Sequence, residues 1–510
     1  MRTLARFTGL LIFCLLPSLA WADKFDDART LVREHMQKNN IPAMSVAVWR
    51  DGKILWEEGF GLADKENGVA ADANTMFCLA SLSKTMTATG LMTLVQSGRV
   101  DIDAPINQYL GQDTLTSMIG DPRQVTVRRV ANHTAGLPGA DQFFYGDEVA
   151  NAPSMGEELR RYGILVAPAG ERYRYSNIGY GALGHLISKV SGKSYDDFML
   201  QDLFQPLGMM RSSVNLAPGL EKFQAVRYDF DRNPIPFYVS AEPGSASVYS
   251  SAHDLAKFGM FVLKNRVPGQ KQILSSRSID LLTSDAIIEG QPTGVSKDGM
   301  GYAFGWIVWE EDGYRYVGHN GSTSGVSSNF AMIPEENTGI VLLGNADGAA
   351  SGVLRTAILK ALLPSYHQAA PEPAKPATAA TPFKPAPELV GTWKGTVRTP
   401  EGEQPMELKV LPTGDTHVRI GGEPRYANRS TFLQEALVNR VAFKDGELTG
   451  STMAQIQTAD TRRQPHTVSL YLKLRGDRLN GSATAVSVFD GFWIFGLPHW
   501  ADLQKVADGG

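Results

Sequence analysis

Cysteine is almost missing from this 510-residue chain, which holds only Cys14 and Cys78. Cys14 falls inside an apolar N-terminal run that reads as a removable leader. One thiol then remains, so no disulfide can close within a chain and stability must come from packed cores. Cys78 reads as a small buried residue rather than a reactive thiol. Metal-binding spacings are missing too. No H-E-x-x-H or C-x-x-C occurs and the nine histidines show no ligand spacing, so no metal and no other cofactor is expected. No excess of positive charge exists either: 49 basic residues face 53 acidic ones, a net charge of −4, and loss of Arg2 and Arg6 with the leader makes the balance more acidic. That argues against nucleic acid as a partner. The absence of G-x-S-x-G excludes the nucleophile elbow of α/β-hydrolases. The run from Gly9 to Ala20 is too short to span a bilayer, so no transmembrane segment is expected in the mature chain.

What is present begins with that leader. Arg2 and Arg6, the apolar run and Ala20-Trp21-Ala22 before Asp23 make residues 1–22 a secretory signal peptide, cleaved after Ala22, which predicts a periplasmic or secreted protein. The remainder, with hydrophobic residues at 43 % and charged ones at 20 % of the chain, has globular usage and enough length for more than one domain. Ala28, Leu31, Val32 and Met36 recur at helical spacing over Asp26 to Lys38. Ala43 to Val48 and Lys53 to Gly59 read as a hairpin across Asp51-Gly52. Helices are expected from Ser81 to Gln96, near Val127, over Gly179 to Val190, over Tyr195 to Leu207, and from Ser251 to Lys264. Residues 140–170 read as mixed loop and helix. After Tyr302 the period changes to that of strands: Tyr302 to Trp309, Tyr314 to Gly318, Val326 to Ile333 and Gly339 to Leu343, closed by a helix from Ala349 to Leu362. No alternating βαβ unit appears, so residues 23–363 are expected to form an α+β domain, an antiparallel sheet flanked by helices. Residues 364–387, rich in Pro and Ala, read as a semi-rigid linker. Residues 388–510 read as an antiparallel β-barrel of evenly spaced hairpins, and Leu389-Val390-Gly391-Thr392-Trp393 resembles the G-x-W start of lipocalin-like barrels.

The chemistry sits in three short segments. Ser81-Leu82-Ser83-Lys84 places a serine and a lysine three residues apart at the start of a helix, on one face. A serine hydroxyl is a poor nucleophile until a base takes its proton, and lysine can be that base where burial lowers its pKa. Ser83 points elsewhere. A single S-x-x-K would be weak evidence. It gains weight from Tyr175-Ser176-Asn177 and His319-Asn320-Gly321, which follow in a set order. Tyr426-Ala427-Asn428 also fits Y-x-N, but it lies after His319 and beyond the linker, so order and domain exclude it. His133, His185 and His253 read as structural.

With these segments the first 365 residues resemble the class C β-lactamase family of serine hydrolases, a group that includes DD-peptidases, D-aminopeptidases and esterases. His133-Thr134-Ala135-Gly136-Leu137-Pro138 and the late strands through Gly321-Ser322-Thr323 and Ile333-Pro334 are similar as well. The resemblance implies that Ser81 is acylated and that Lys84 and Tyr175 exchange its proton as one unit. It implies that Asn177 holds Lys84 and the substrate amide, and that the backbone N–H groups of Ser81 and Ser322 form an oxyanion hole. Gly321 would let substrate backbone approach closely. His319 is the departure. The family's β-lactamases carry lysine there, a fixed cation suited to a carboxylate, whereas D-aminopeptidases and several esterases are similar in having H-x-G.

Three function classes follow. The first is an acyl-serine hydrolase of D-residue peptides, amides or esters. The second is a β-lactamase or DD-carboxypeptidase with the same site. The third is a non-catalytic binding protein on the same fold, against which the intact set of Ser81, Lys84, Tyr175 and Asn177 weighs. The expected partner is a small-molecule or peptide substrate, and the sequence carries no sign of oligomeric state.

Overall fold

The structure, a computed structural model, describes residues 25–284, 301–363, 366, 383–421 and 436–506. The leader over residues 1–22, most of the Pro/Ala segment and Tyr426-x-Asn428 lie outside the described residues. Helix α1 (Asp26–Lys38) buries Ala28, Val32 and Met36 from one face, as their fourfold spacing requires. It leads into strands β1 (Ala43–Arg50) and β2 (Lys53–Asp64), joined by Asp51 and Gly52 with φ of 51° and 72°, the left-handed pair that a two-residue hairpin turn needs.

A short edge strand, β3 (Val69–Ala70), precedes the long middle of the chain. Strands β4 (Gly301–Tyr302), β5 (Ile307–Glu311), β6 (Tyr314–Thr323), β7 (Val326–Ile333) and β8 (Thr338–Gly344) then complete an eight-stranded sheet, ordered β4-β5-β6-β7-β8-β1-β2-β3. Strand β6 continues through His319 to Thr323 instead of stopping at Gly318, because residues 317 to 323 stay paired with β7. Alternate residues of β1 and β8 face opposite layers. Val46, Val48, Ile340 and Leu342 pack with α1 and a C-terminal helix (Gly352–Leu362), and Ala47, Trp49, Val341 and Leu343 join the larger core on the other face. Both faces are covered, so β1 is buried along nearly its whole length. Each such large apolar side chain contributes about 1.5–3 kcal/mol on burial.

The larger core carries helices α2 (Ser83–Gln96), α3 (Asn177–Ser191) and α4 (Ala252–Val262). The stretch expected as one helix over Tyr195 to Leu207 is an α-turn, Tyr195–Phe198, that widens into a π-helix over Met199–Phe204. Helix α4 starts as its sequence suggests: the Ser251 side chain accepts from the Asp254 N–H. Cys78 is buried and free.

The C-terminal region forms strands β9 (Gly391–Thr399), β10 (Gly402–Val410), β11 (Thr416–Ile420), β12 (Ala436–Lys444), β13 (Glu447–Thr452), β14 (Thr467–Arg475), β15 (Arg478–Phe489) and β16 (Phe492–Lys505). Each pairs with the next, and β9 pairs with β16, so the barrel closes with eight antiparallel strands. Trp393 is buried inside it, its indole N–H donating to the Leu389 carbonyl at 2.9 Å. The two regions are not merely tethered. The first half of β16 pairs with a strand over Asp141–Tyr145, which pairs in turn with Tyr238–Ser240, so the barrel's sheet runs on into the α+β region. Phe495 and Leu497 pack into the larger core rather than into the barrel. Among the described residues, no helix is long and apolar enough to cross a membrane.

Candidate active site

The backbone just before Ser81 decides where the site forms. Phe77-Cys78 pairs with Val248–Ser250, and the Leu79 N–H donates to the Val248 carbonyl at 2.9 Å. Ala80 then takes φ of 47°, a region costly for any residue with a Cβ, and Ala80–Leu82 forms a 3₁₀ turn that runs into α2. Ser81 therefore stands at the mouth of the helix, partly exposed. Ser83 is fully buried and its hydroxyl accepts from the Val248 N–H at 3.0 Å, which commits it to structure.

Lys84 is also fully buried. Its Nζ donates to Ser81 Oγ at 3.1 Å and to the Ser245 carbonyl at 3.0 Å. Burial brings its pKa down to about 7, against the upward pull of Asp141 and Glu242. Tyr175 lies in a loop, its hydroxyl hydrogen-bonded to Ser81, and burial pushes the phenol well above its ordinary value. The loop is held by His133, itself at φ of 62°. The His133 carbonyl accepts from the Arg174 N–H at 2.8 Å and its Nδ1 from the Ser176 N–H at 3.1 Å, so both neighbours of Tyr175 are pinned. His133 thus supports the site from beside Tyr175, the two ring centroids 4.3 Å apart. His185 and His253 lie elsewhere, bonded to Asp113 and Glu57.

Asn177 opens α3, with Ser176 as its cap. It does not hold Lys84. Its Nδ2 donates to Asp141 Oδ2 at 3.0 Å, and its Oδ1 is buried with no hydrogen-bond partner. Its amide N–H end is committed to a carboxylate on the Asp141–Tyr145 strand, while Lys84, a donor, is bonded to Ser81 Oγ and the Ser245 carbonyl. His319 is buried, and its environment fixes one neutral tautomer. Nδ1 lies 2.6 Å from the Asn320 carbonyl, which only accepts, so Nδ1 carries the proton and Nε2 accepts from the Tyr302 hydroxyl at 2.9 Å. Burial and the nearby Lys84 push its pKa down to about 3.

Gly321 is required by the chain's own packing. A Cβ there would stand 2.0 Å from the Leu79 carbonyl oxygen and 2.6 Å from Ser328 Oγ. The close approach seen here is made by the chain's own backbone ahead of Ser81. Ser322 follows it on β6 and is exposed. Strand β6 and the Ser81 turn are therefore in direct contact.

Asp141, Glu242, Tyr302 and Trp493 complete the surroundings of Lys84 and its partners, and none was legible as a site residue. Asp141 is half-buried and, besides Asn177, accepts from the Trp493 indole N–H at 2.9 Å. Glu242 is fully buried, accepting from Ser240 Oγ at 3.1 Å, and burial next to other carboxyls raises its pKa. An acid heading the β-rich run from Asp141 to Tyr145 was the one available hint of a strand carrying a carboxylate.

A model of the beta-lactamase family matches residues 28–363 of the chain. The chain belongs to the beta-lactamase family. Among curated relatives, this beta-lactamase-family chain is 29 % identical over 366 residues to the unguisins hydrolase ungD' of Aspergillus campestris, an alignment that takes in 68 % of the chain and 66 % of the relative's length. Among solved structures, SurE with D-Leu superposes on 95 % of the chain and all of its own length, with a TM-score of 0.60 at 19 % identity. A beta-lactamase/D-alanine carboxypeptidase from Pseudomonas syringae covers 68 % of the chain and 99 % of its own, with a TM-score of 0.55 at 22 % identity. At those identities the likeness is one of fold.

Proposed function

We propose that this protein is an exported serine hydrolase that acts through an acyl-Ser81 intermediate on D-amino-acid-containing peptides, amides or esters. The observation that carries the reading is the Lys84 amine, fully buried, 3.1 Å from Ser81 Oγ and brought down to a pKa of about 7. At neutral pH a large fraction of Lys84 is the free amine, while Tyr175 keeps its proton. In this mechanism Lys84 Nζ takes the Ser81 hydroxyl proton as Oγ bonds to the substrate carbonyl carbon. The developing oxyanion is met by the backbone N–H groups of Ser81 and Ser322. As the carbonyl re-forms, the leaving amine or alcohol departs with a proton from Tyr175, which regains one from the Lys84 ammonium. Water then attacks the acyl-Ser81 ester and releases the acid.

The preference for D-residue substrates over β-lactams rests on His319. Its ring is neutral and both nitrogens are engaged, so it offers no cation to a substrate carboxylate. The likeness to the solved structure of SurE with D-Leu supports a D-residue class. Export rests on the leader-like residues 1–22, and residues 23–363 and 388–510 are the proposed catalytic domain and barrel. A second reading, a β-lactamase or DD-carboxypeptidase, is favoured by the fold likeness to the Pseudomonas syringae enzyme.

One panel separates them: a D-alanyl anilide, its L-isomer, a p-nitrophenyl ester and a chromogenic cephalosporin, each assayed with Ser81→Ala in parallel. Turnover of the D-anilide or the ester well above that of the cephalosporin, lost in Ser81→Ala, is expected. The reverse order would move the protein to the second reading, and no acyl adduct with any donor would move it to a binding role.

A further inference from the structure

The segment from Tyr175 to Asn177 leans on the barrel through one residue in particular. Trp493, the second residue of β16, donates its indole N–H to Asp141 Oδ1 at 2.9 Å, and the other oxygen of Asp141 accepts from Asn177 Nδ2 at 3.0 Å. Trp493 is itself fixed at both ends of its peptide unit. Its N–H donates to Ser324 Oγ at 2.9 Å and its carbonyl accepts from the Tyr145 hydroxyl at 2.8 Å. Ser324 lies in the turn between β6 and β7, two residues beyond Ser322. A single barrel residue therefore touches both walls of the site.

We propose that Trp493 is a positioning residue of the active site, orienting the Asn177 amide through the Asp141 carboxylate, so that the C-terminal barrel completes the site. A primary amide can turn over and exchange its donor and acceptor ends. Commitment of Nδ2 to Asp141 leaves Oδ1 on the opposite side, where it is buried with no hydrogen-bond partner. A buried acceptor left unmade is costly, which fits a group held ready for a substrate N–H. A tryptophan kept only for packing would not need its N–H on a carboxylate that in turn holds the Asn177 amide.

The same bond bears on Lys84. Burial raises the pKa of Asp141, and the Trp493 and Asn177 hydrogen bonds oppose that rise. Without the indole N–H, Asp141 takes up a proton more readily, and Lys84 loses the strongest of the charges that favour its ammonium form. The other titratable groups facing Lys84 are Glu242, His133, His319, Tyr175 and Tyr180, none of which touches Trp493.

This inference rests on Ser81 being the nucleophile, and the test separates the two. Acylation of Ser81 by a p-nitrophenyl ester is followed across pH in the full-length protein, in Trp493→Phe, in Asp141→Asn and in the double variant. Trp493→Phe should slow acylation about tenfold with KM little changed, the usual scale for losing a hydrogen bond to a charged group. It should move the acidic limb of the rate profile to lower pH, because Lys84 then loses its proton more easily. Asp141→Asn should do the same, and the double variant should be no slower than the slower single one. A Trp493→Phe protein with the wild-type rate and limb, or losses that multiply in the double variant, would overturn the proposal. If Trp493→Phe fails to fold, Asp141→Asn alone decides, an unmoved limb being the refuting result. A wild-type protein that gains no acyl group on Ser81 refutes the nucleophile reading instead.

Discussion

The Lys84 amine lies 4.8 Å from the centre of the Tyr175 ring, and burial drives the two groups in opposite directions. Desolvation disfavours whichever form is charged, so the ammonium loses its proton more easily and the phenol holds its own more tightly. The pair is thus divided into an amine that accepts and a phenol that donates. Activity should rise with pH through about 7 as Lys84 deprotonates, giving the acidic limb of a kcat/KM profile. His319, held neutral with a pKa near 3, contributes nothing to that limb. His319→Gln should leave its position unmoved, whatever it does to the rate. A limb that shifts by a full pH unit in His319→Gln would show that the histidine titrates with the base.

Ser81 and Ser83 offer a sharper contrast, since both sit near Lys84 in sequence. Mass spectrometry after incubation with an activated ester should find one acyl group on the wild type and on Ser83→Ala, and none on Ser81→Ala. Ser83→Ala removes the acceptor for the Val248 N–H, so it should cost about 1 kcal/mol of stability in denaturant unfolding. An adduct that survives Ser81→Ala but vanishes with Ser83→Ala would exchange their roles.

Much of this was legible because it is local. The hairpin at Asp51-Gly52, the α1 face, the meander after Tyr302 and the closed barrel each follow from a period of 2 or 3.6 and from turn residues. The nucleophile and its base are three residues apart on a helix start, so sequence spacing alone brings them together. What was not legible depends on pairings across the chain. Asp141 meets Trp493 over a separation of 352 residues, and only the folded sheet brings them together. The segment holding Asp141 looked irregular because its strand has just five residues and finds its partner in the barrel. Asn177 was expected on Lys84 from the resemblance, and nothing in the sequence announced the Asp141 carboxylate that takes its Nδ2. Nor did it announce that the Leu79 carbonyl, which comes from another element, crowds Gly321.

Glu447 on β13 tests how firmly the barrel holds the Tyr175 loop. It pairs with Arg172 and, at 2.7 Å, with Arg174, the residue before Tyr175, and all three side chains are less than a quarter exposed. Glu447→Gln leaves two guanidinium groups without their carboxylate, which should cost about 1–2 kcal/mol after allowance for solvent screening. The midpoint of urea unfolding should fall accordingly, and acylation should slow because the loop is less firmly placed. Unchanged stability together with an unchanged rate would mean that the His133 clamp alone positions Tyr175.

Gly321→Ala asks whether the contact between β6 and the Ser81 turn matters to the chemistry. The new methyl would lie 2.0 Å from the Leu79 carbonyl oxygen, a distance no packing tolerates. That carbonyl cannot yield freely. It accepts from Ser328 Oγ at 2.9 Å, and the Leu79 N–H is bonded to Val248. The displacement must therefore pass along the backbone to Ala80, already at a positive φ, and on to Ser81. A misplacement of this size at a nucleophile can cost about 100-fold in rate, beside the 1–3 kcal/mol of stability usual for overpacking. Adding Ser328→Ala relieves only the farther of the two clashes, so it should restore little of the rate. Full recovery in that double variant would place the conflict at the hydroxyl and leave the Leu79 backbone, and with it Ser81, undisturbed.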